Sequence, residues 1–345
     1  MRVGLVSPYD LGRPGGVQDQ VIRLAGWLRE AGHEAVVVGP GTEGPEGAIL
    51  LGPTTVIPAN RARTPVRLDP RVGRHLADVL SDVDVIHVHE PLMPAVSPAA
   101  MRVDGPAKVA TFHADPPAWV RRLYRHGRRG VRYAIRNAAV VTAVSPVAGS
   151  SIDGVVDYRL IPNGIEVGAY ETGPKIPGRV AFLGRDDARK GLPVLLESWP
   201  AIHAAIPDST LHILGADREE SPHGVECFGW VGDETKRSEL AAAAVFCAPN
   251  LGGESFGIIV AEAMASACAV VASSIAAFEH VAGPTARFVP AGDSRELGRQ
   301  VIDLLSRPGE AATLGAAAAQ RVQRFDGRAV AQAYLGAYAD AIGAG

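Results

Sequence analysis

Short apolar runs alternate along this chain with longer stretches of helical periodicity. In the first half, Val3–Ser7, Glu34–Gly39, Asp84–His89, Lys108–His113, Val140–Ser145 and Tyr158–Pro162 predict strands. After the first of these, Val17, Val21, Leu24, Ala25 and Leu28 form one apolar stripe. That stripe predicts a helix over Val17–Ala31, stopped by Gly32. The pattern restarts after Asn163-Gly164. Arg179–Gly184, Thr210–Leu214, Val225–Phe228, Val245–Pro249, Ala269–Ser273 and Ala286–Val289 predict strands. Lys190–Ile206, Glu234–Ala244, Ser255–Ala267, Ser294–Ser306 and Glu310–Arg324 predict helices. Such alternation implies an α/β chain: two Rossmann-like halves, each a parallel sheet with helices on both faces, joined through Pro162–Gly178. Ala329–Ile342 is helical in pattern, and pattern alone leaves its place open. In open parallel sheets ligands bind beyond the carboxyl ends of the strands, so the strand-to-helix turns carry the chemistry.

A length of 345 residues suits two domains better than one core. With 47% hydrophobic and 21% charged residues the composition is that of a globular protein. The net charge of −3 excludes nucleic-acid binding by overall charge and makes any basic surface a local one. Three cysteines, Cys227, Cys247 and Cys268, show no metal-like spacing, which fits a reducing compartment. The chain opens on a strand without a leader pattern, and no apolar run approaches the ~20 residues of a membrane span. The expected location is cytoplasmic, with a membrane met only at its surface.

The most informative segment is Asn250-Leu-Gly-Gly-Glu-Ser-Phe-Gly-Ile-Ile-Val-Ala-Glu262. Glu254 and Glu262 stand a little over two helical turns apart, which predicts two carboxylates on one side of a helix start. Backbone N–H groups from Gly257 onward would stabilise an anion there. One acid for sugar hydroxyls and one for a ribose is the pattern expected of a nucleotide-sugar glycosyltransferase. Arg13-Pro-Gly-Gly-Val-Gln18 follows the first strand and could be a phosphate approach or a plain turn. In the second half, Gly184-Arg-Asp-Asp-Ala-Arg-Lys-Gly191 holds Arg185 and Lys190 at the equivalent turn. Such cations suit the growing charge of a diphosphate leaving group, against a reading as solvated surface charge. His113 ends a strand, where it can donate to a sugar hydroxyl or take an acceptor's proton. His87, His89 and Glu90 look superficially like metal ligands, but no third partner follows in a suitable pattern. Asp82-Val-Asp84 precedes a strand rather than ending one. No metal is expected at either.

Two basic runs stand out. Arg61, Arg63, Arg67, Arg71 and Arg74 share one acid, Asp69. Trp119–Arg136 carries Arg121, Arg122, Arg125, Arg128, Arg129, Arg132 and Arg136 with no acid, interleaved with Leu123, Tyr124, Tyr133 and Ile135. Basic and aromatic residues on one helix predict an anionic membrane surface as partner, against a merely solvated face. No nucleic-acid recognition pattern accompanies them.

With these residues in view, the chain resembles glycosyltransferase family 4, whose members are metal-independent, retaining GT-B enzymes with two Rossmann-like domains facing across a cleft. Ser7-Pro-Tyr9, Pro14-Gly-Gly-Val-Gln18, His87-Val-His-Glu-Pro91, Thr111-Phe-His113, Ile161-Pro-Asn-Gly164 and Cys247–Gly257 together are similar to the actinobacterial branch that mannosylates phosphatidylinositol. The resemblance implies an acceptor-binding domain over 1–165 joined by a returning helix, 326–345, and a nucleotide-sugar domain over 166–325. It implies that Gly16, Arg185 and Lys190 hold the GDP diphosphate, Glu254 the mannose hydroxyls and Glu262 the ribose. Gly257, Ile258 and Ile259 would add backbone N–H groups, and Val231, Asp233 and Lys236 would frame the guanine. Tyr9, Gln18, Asn60 and His113 would face the inositol. His113, Arg185, Lys190 and Glu254 would carry catalysis, with no cofactor. The basic helix would dock the enzyme on the inner face of the plasma membrane. The chain departs from the family at Ala59, Ala114 and Ala118, where an aromatic, a Thr and a Lys are usual, and in a shorter Arg185–Lys190 loop. Arg121 or Arg122 is the candidate for the missing cation.

The implied reaction moves mannose from GDP-mannose to the inositol ring with retention. No carboxylate stands as an obvious covalent nucleophile, which predicts a front-side path with the leaving diphosphate oxygen as base. Other readings stay open: another nucleotide sugar such as UDP-glucose with a different acceptor, or a non-catalytic nucleotide-sugar or lipid binder. The sequence is silent on oligomeric state.

Overall fold

The computed structural model describes residues 1–344 except 60, 61, 70, 219 and 220, and of 57–59 and 62–64 the backbone only. The chain divides into two compact units, Met1–Gly164 with Gly327–Gly345, and Ile165–Asp326.

In the first unit the chain runs through β1 (Arg2–Val6), α1 (Gly16–Glu30), β2 (Glu34–Gly39), β3 (Ile49–Leu50), β4 (Thr55–Ala59) and β5 (Ala62–Val66). It continues through α2 (Val72–Leu80), β6 (Val85–His89), α3 (Val96–Ala100), β7 (Ala107–Phe112), α4 (Ala118–His126) and α5 (Arg128–Ala134). β8 (Val140–Ala143), α6 (Pro146–Gly149) and β9 (Arg159–Leu160) complete the run. The strands form a sheet in the order β3-β2-β1-β6-β7-β8-β9, parallel throughout, with β4 and β5 as a separate hairpin.

The second unit runs β10 (Ile176–Leu183), α7 (Leu192–Ala205), β11 (Thr210–Leu214), β12 (Val225–Cys227), α8 (Asp233–Ala242), β13 (Ala243–Ala248) and α9 (Ile258–Ala265). Then come β14 (Ala269–Ser273), α10 (Ala276–Ala282), β15 (Ala286–Val289), α11 (Ser294–Ser306) and α12 (Pro308–Val322). Its sheet, also parallel, has the order β12-β11-β10-β13-β14-β15. In each sheet the chain reverses its direction of winding at one place, between β1 and β6 and between β10 and β13. Open α/β sheets bind ligands outside the carboxyl ends of the strands at such a reversal.

The last helix, α13 (Gly327–Gly343), belongs to the first unit. Its buried residues Val330, Ala331, Tyr334, Ala337, Tyr338 and Ala341 share a core with Val3, Leu5, Val21, Leu24 and Leu28. Tyr338 also reaches under the sheet, its hydroxyl 2.8 Å from His87 Nδ1. The second unit has its own core, in which Phe182, Trp199, Leu211, Ile213 and Val245 are buried. Full burial of each such side chain contributes about 1.5–3 kcal/mol.

Three differences from the pattern-based expectation have local causes. The helix expected from Lys190 begins at Leu192, because Ala188–Lys190 forms a 3₁₀ turn and Gly191 is left-handed at φ 70°. The helix expected over Ser255–Ala267 spans Ile258–Ala265, because Gly257 turns the chain at φ 99° before it. Glu254 therefore lies in the preceding loop and Glu262 inside the helix, so the two do not share a helix face. The single basic helix is two short ones, Ala118–His126 and Arg128–Ala134, separated at Gly127, whose backbone leaves helical geometry at ψ 21°.

Replacing Tyr338 by Phe leaves His87 Nδ1 buried without that partner. Urea unfolding is expected to show a loss of about 1–3 kcal/mol; an unchanged midpoint would refute the contact.

Candidate active site

In the second unit, β10 and β13 are neighbours, so the turns that follow them meet. The turn after β10 carries Arg185 and Lys190; the loop after β13 carries Asn250 and Glu254. Lys190 Nζ stands 2.5 Å from Glu254 Oε1, and the Asn250 amide donates to the same oxygen at 2.9 Å. Glycine is required between them. A Cβ at Gly191 would lie 1.9 Å from the Pro249 carbonyl oxygen, and the left-handed φ adds strain to any replacement. The Leu251 N–H donates to the Arg189 carbonyl at 2.8 Å, which ties the two turns together again.

Arg189 lies beside this pair but is already committed. Its Nη2 lies 2.7 Å from Asp187 Oδ2, and this pairing holds the Asp187 carboxyl down to about 2. Arg185 is exposed, with Asp187 in its field. The cations at this turn not committed to Asp187 are thus Arg185 and Lys190, the second paired with Glu254.

Gly257 leads into α9, whose first N–H groups, those of Ile258 and Ile259, have no partner within the helix. Glu262 is buried one turn deeper. Its Oε1 accepts from the Tyr170 hydroxyl at 2.7 Å and from Lys236 Nζ at 2.8 Å. Lys236 also pairs with Asp233 at 2.9 Å. Burial pulls the Lys236 amine down, and the Glu262 and Asp233 carboxylates more than reverse it. Val231 is half-buried just before α8. Lys190 with Glu254, and Lys236 with Glu262, are therefore two built cation–carboxylate pairs in one unit. Asn250 and Tyr170 complete them and were not foreseen; Asn250 stood in the motif, whereas Tyr170 has no local signal.

In the first unit, His113 follows the end of β7 and is buried. Its Nε2 lies 2.8 Å from His89 Nδ1. Its N–H and that of Ala114 each donate to Glu90 Oε1 at 2.6 Å. Burial pushes His113 down to about 4, with Asn163 beside it pulling weakly the other way. His87 and His89 are held well below the usual imidazole range, first by burial and then by their neighbours. Burial raises Glu90 to about 7 against the pull of its two N–H donors. Among the described residues no three His, Cys, Asp or Glu side chains are grouped as a metal site.

The other first-unit candidates are placed variously. Gly16 opens α1 with free space where a Cβ would stand. Gln18 is buried and its amide donates to the Asp10 and Arg13 carbonyls, at 3.3 and 3.4 Å. Tyr9 is buried against Val66 and Met93. Asn60 lies outside the described residues. Arg121 turns back to Asp115, 3.4 Å away, two residues past His113. Arg132 donates to the Val155 carbonyl through Nε. Arg122, Arg125, Arg128 and Arg129 are exposed, as are Trp119, Leu123 and Tyr133. No residue of α4 is buried, and no helix of the described residues is long and apolar enough to cross a membrane.

Comparison with known proteins places these features in a family. Residues 14–168 match the model of Glycosyltransferase Family 4, and residues 177–307 match Glycosyl transferases group 1. The chain is 34% identical to a phosphatidyl-myo-inositol mannosyltransferase of Mycolicibacterium smegmatis, over 100% of this chain and 95% of that one. It is 26% identical to a GDP-mannose-dependent monoacylated alpha-(1-6)-phosphatidylinositol monomannoside mannosyltransferase of Corynebacterium glutamicum, over 90% of each. Among solved structures it superposes on the sucrose-phosphate synthase of Thermosynechococcus elongatus with a TM-score of 0.75 at 22% identity, over 100% of both chains. The fold is GT-B.

The buried imidazoles set an acid limit. Unfolded, each takes a proton near 6.5, whereas His113 resists to about 4 and His87 and His89 are also depressed. The stability they contribute is present above pH 6.5 and lost as pH falls below it. Glu90 acts oppositely: raised from 4.5 to about 7, it contributes stability at low pH that is lost on the way up to 7. Three lowered groups outweigh one raised one, so below pH 6.5 the unfolded chain binds more protons than the folded one and stability falls as pH drops. Urea midpoints at pH 7, 6 and 5 should fall in that order. A flat or rising series would contradict the buried neutral cluster.

Proposed function

The chain belongs to glycosyltransferase family 4, and we propose that it transfers mannose from GDP-mannose to the inositol ring of phosphatidylinositol, with retention, at an anionic membrane surface. The observation that carries this reading is the Lys190–Glu254 contact beside the start of α9. It brings the cation suited to a leaving diphosphate and the carboxylate suited to sugar hydroxyls to one point. The names of the relatives supply the donor and acceptor classes.

In the proposed reaction the C–O bond between mannose and the β-phosphate breaks, and the departing oxygen becomes more negative. Arg185, Lys190 and the free N–H groups of Ile258 and Ile259 are set to stabilise that charge, so no metal is required. Lys190 leaves Glu254 in part as the diphosphate arrives, freeing the carboxylate for the sugar hydroxyls. Glu262, held by Tyr170 and Lys236 through Oε1, keeps Oε2 for a ribose hydroxyl. The acceptor hydroxyl attacks from the same face, and its proton passes to the departing phosphate oxygen. His113 orients the acceptor. With burial pushing it down to about 4, it is suited to hydrogen bonding rather than to taking the proton at neutral pH.

Purified protein supplied with GDP-mannose and phosphatidylinositol vesicles is expected to form a mannosylated lipid, and UDP-glucose to give none. Transfer from UDP-glucose, or none from either donor, would refute the reading. Lys190→Ala is expected to lower kcat by about 10²-fold and stability by about 1–3 kcal/mol, since Asn250 still donates to Glu254. Unchanged turnover would remove Lys190 from the mechanism.

The exposed Trp119 and Leu123 with the arginines of α4 and α5 are proposed as the membrane contact. Each cation near an anionic surface contributes about 1 kcal/mol. Changing Arg122, Arg125 and Arg129 together to Gln should therefore weaken binding to anionic vesicles by roughly 10²-fold. Equal binding to neutral and anionic vesicles would contradict it.

A further inference from the structure

Lys175 stands immediately before β10 and takes no part in the site described above. It is half-buried, and among the described residues no carboxylate pairs with it. Its ammonium donates instead to three carbonyls. Those of Leu240 and Ala241, at 3.3 and 2.9 Å, belong to the last turn of α8; that of Ser266 lies just past α9. The last carbonyls of a helix have no partner within it and carry partial negative charge, which suits a cation. The Cys268 thiol adds a second tie, donating to the Leu240 carbonyl at 3.1 Å. The carboxyl ends of the two helices are thus held at one point.

These are the helices that carry the Lys236–Glu262 pair. Along each of them the tie lies about one turn beyond that pair: Leu240 follows Lys236, and Ser266 follows Glu262, by four positions. A single contact between two helices is a pivot, and a second contact one turn away removes that freedom. The same chain segment reaches both places, because the Tyr170 hydroxyl donates to Glu262 Oε1 at 2.7 Å. Lys175 is anchored in turn. Its neighbour Ile176 pairs with Ala243 of β13, and β10 and β13 are the two middle strands of the sheet.

We propose that Lys175 is a positioning residue for the donor nucleotide: by binding the carboxyl ends of α8 and α9 together, it sets the angle at which Glu262 presents Oε2 to the ribose hydroxyls. Tyr170 and Lys236 occupy Oε1, so the direction of Oε2 follows from how α9 is set against α8. The proposal rests on the assignment of Glu262 to the ribose made above.

The test compares two ligands, GDP and 2′,3′-dideoxy-GDP, by calorimetric titration of the whole chain. Wild type is expected to bind GDP roughly tenfold tighter, the size of a hydrogen bond to a carboxylate. Glu262→Ala should bring that ratio near one. Lys175→Met keeps the apolar stem and removes the three donations, and it should lower the ratio at least threefold. A general loss of stability would weaken both ligands alike and leave the ratio where it was. Where Lys175→Met does not fold, Lys175→Gln, which keeps an amide donor for one helix end, is held to the same fall. A wild-type ratio in the folded Lys175 variant, with the ratio lost in Glu262→Ala, would overturn the positioning and leave the ribose assignment intact. A ratio near one in wild type, or unchanged in Glu262→Ala, would refute the ribose assignment and the proposal with it.

Discussion

The Lys190–Glu254 contact is the interaction on which the second unit's chemistry depends, and a backbone constraint makes it possible. Two loops leave adjacent strands, β10 and β13, and must approach until a carbonyl and an α-carbon nearly touch. Only glycine allows that at position 191, where a Cβ would stand 1.9 Å from the Pro249 oxygen. The same approach carries the ammonium of Lys190 onto the carboxylate of Glu254, with Asn250 as a second donor. A pair this sheltered costs desolvation on both sides and is a weak source of stability. Its value lies in holding a cation and an acid ready for a ligand that brings its own negative charge.

The first unit solves a different problem with neutral groups. His87, His89 and His113 are buried at the carboxyl ends of β6 and β7, where charge would be expensive. Hydroxyls of Thr111 and Tyr338 satisfy both nitrogens of His87, His89 and His113 share one contact, and the Glu90 carboxylate accepts the His113 N–H. The closing helix α13 takes part through Tyr338, so the last residues of the chain support side chains near residue 113. One unit thus concentrates paired charge while the other packs uncharged imidazoles.

Much of this was legible in the sequence, for physical reasons. Strands of a parallel sheet are largely buried and read as short, mostly apolar runs, which is why Glu34–Gly39, Thr210–Leu214, Ala269–Ser273 and Ala286–Val289 match element for element in spite of single polar residues such as His212 and Arg287. Lys190 and Glu254 stood out because they follow strand ends next to glycines. The β4–β5 hairpin was missed because Pro58, Pro65 and several arginines argue against a strand. The helix α2 was hidden beside the arginine run, and α10 is only seven residues long. The starts of α7 and α9 shifted because Gly191 and Gly257 turn the chain by left-handed geometry that a hydropathy pattern does not register. Partnerships across long separations were beyond reach: Tyr170 with Glu262, and His89 with His113, depend on which strands lie side by side. The histidines of the first motif were read as a failed metal set; their contacts in the fold show a hydrogen-bonded cluster instead.

A double-mutant cycle on kcat for Lys190→Ala, Glu254→Gln and the combination addresses the shared pivot most directly. Groups that work as one unit give losses far from additive, so the double variant should be little worse than the poorer single one. Losses that simply multiply would show that the two side chains act independently, and the contact would then be incidental to catalysis.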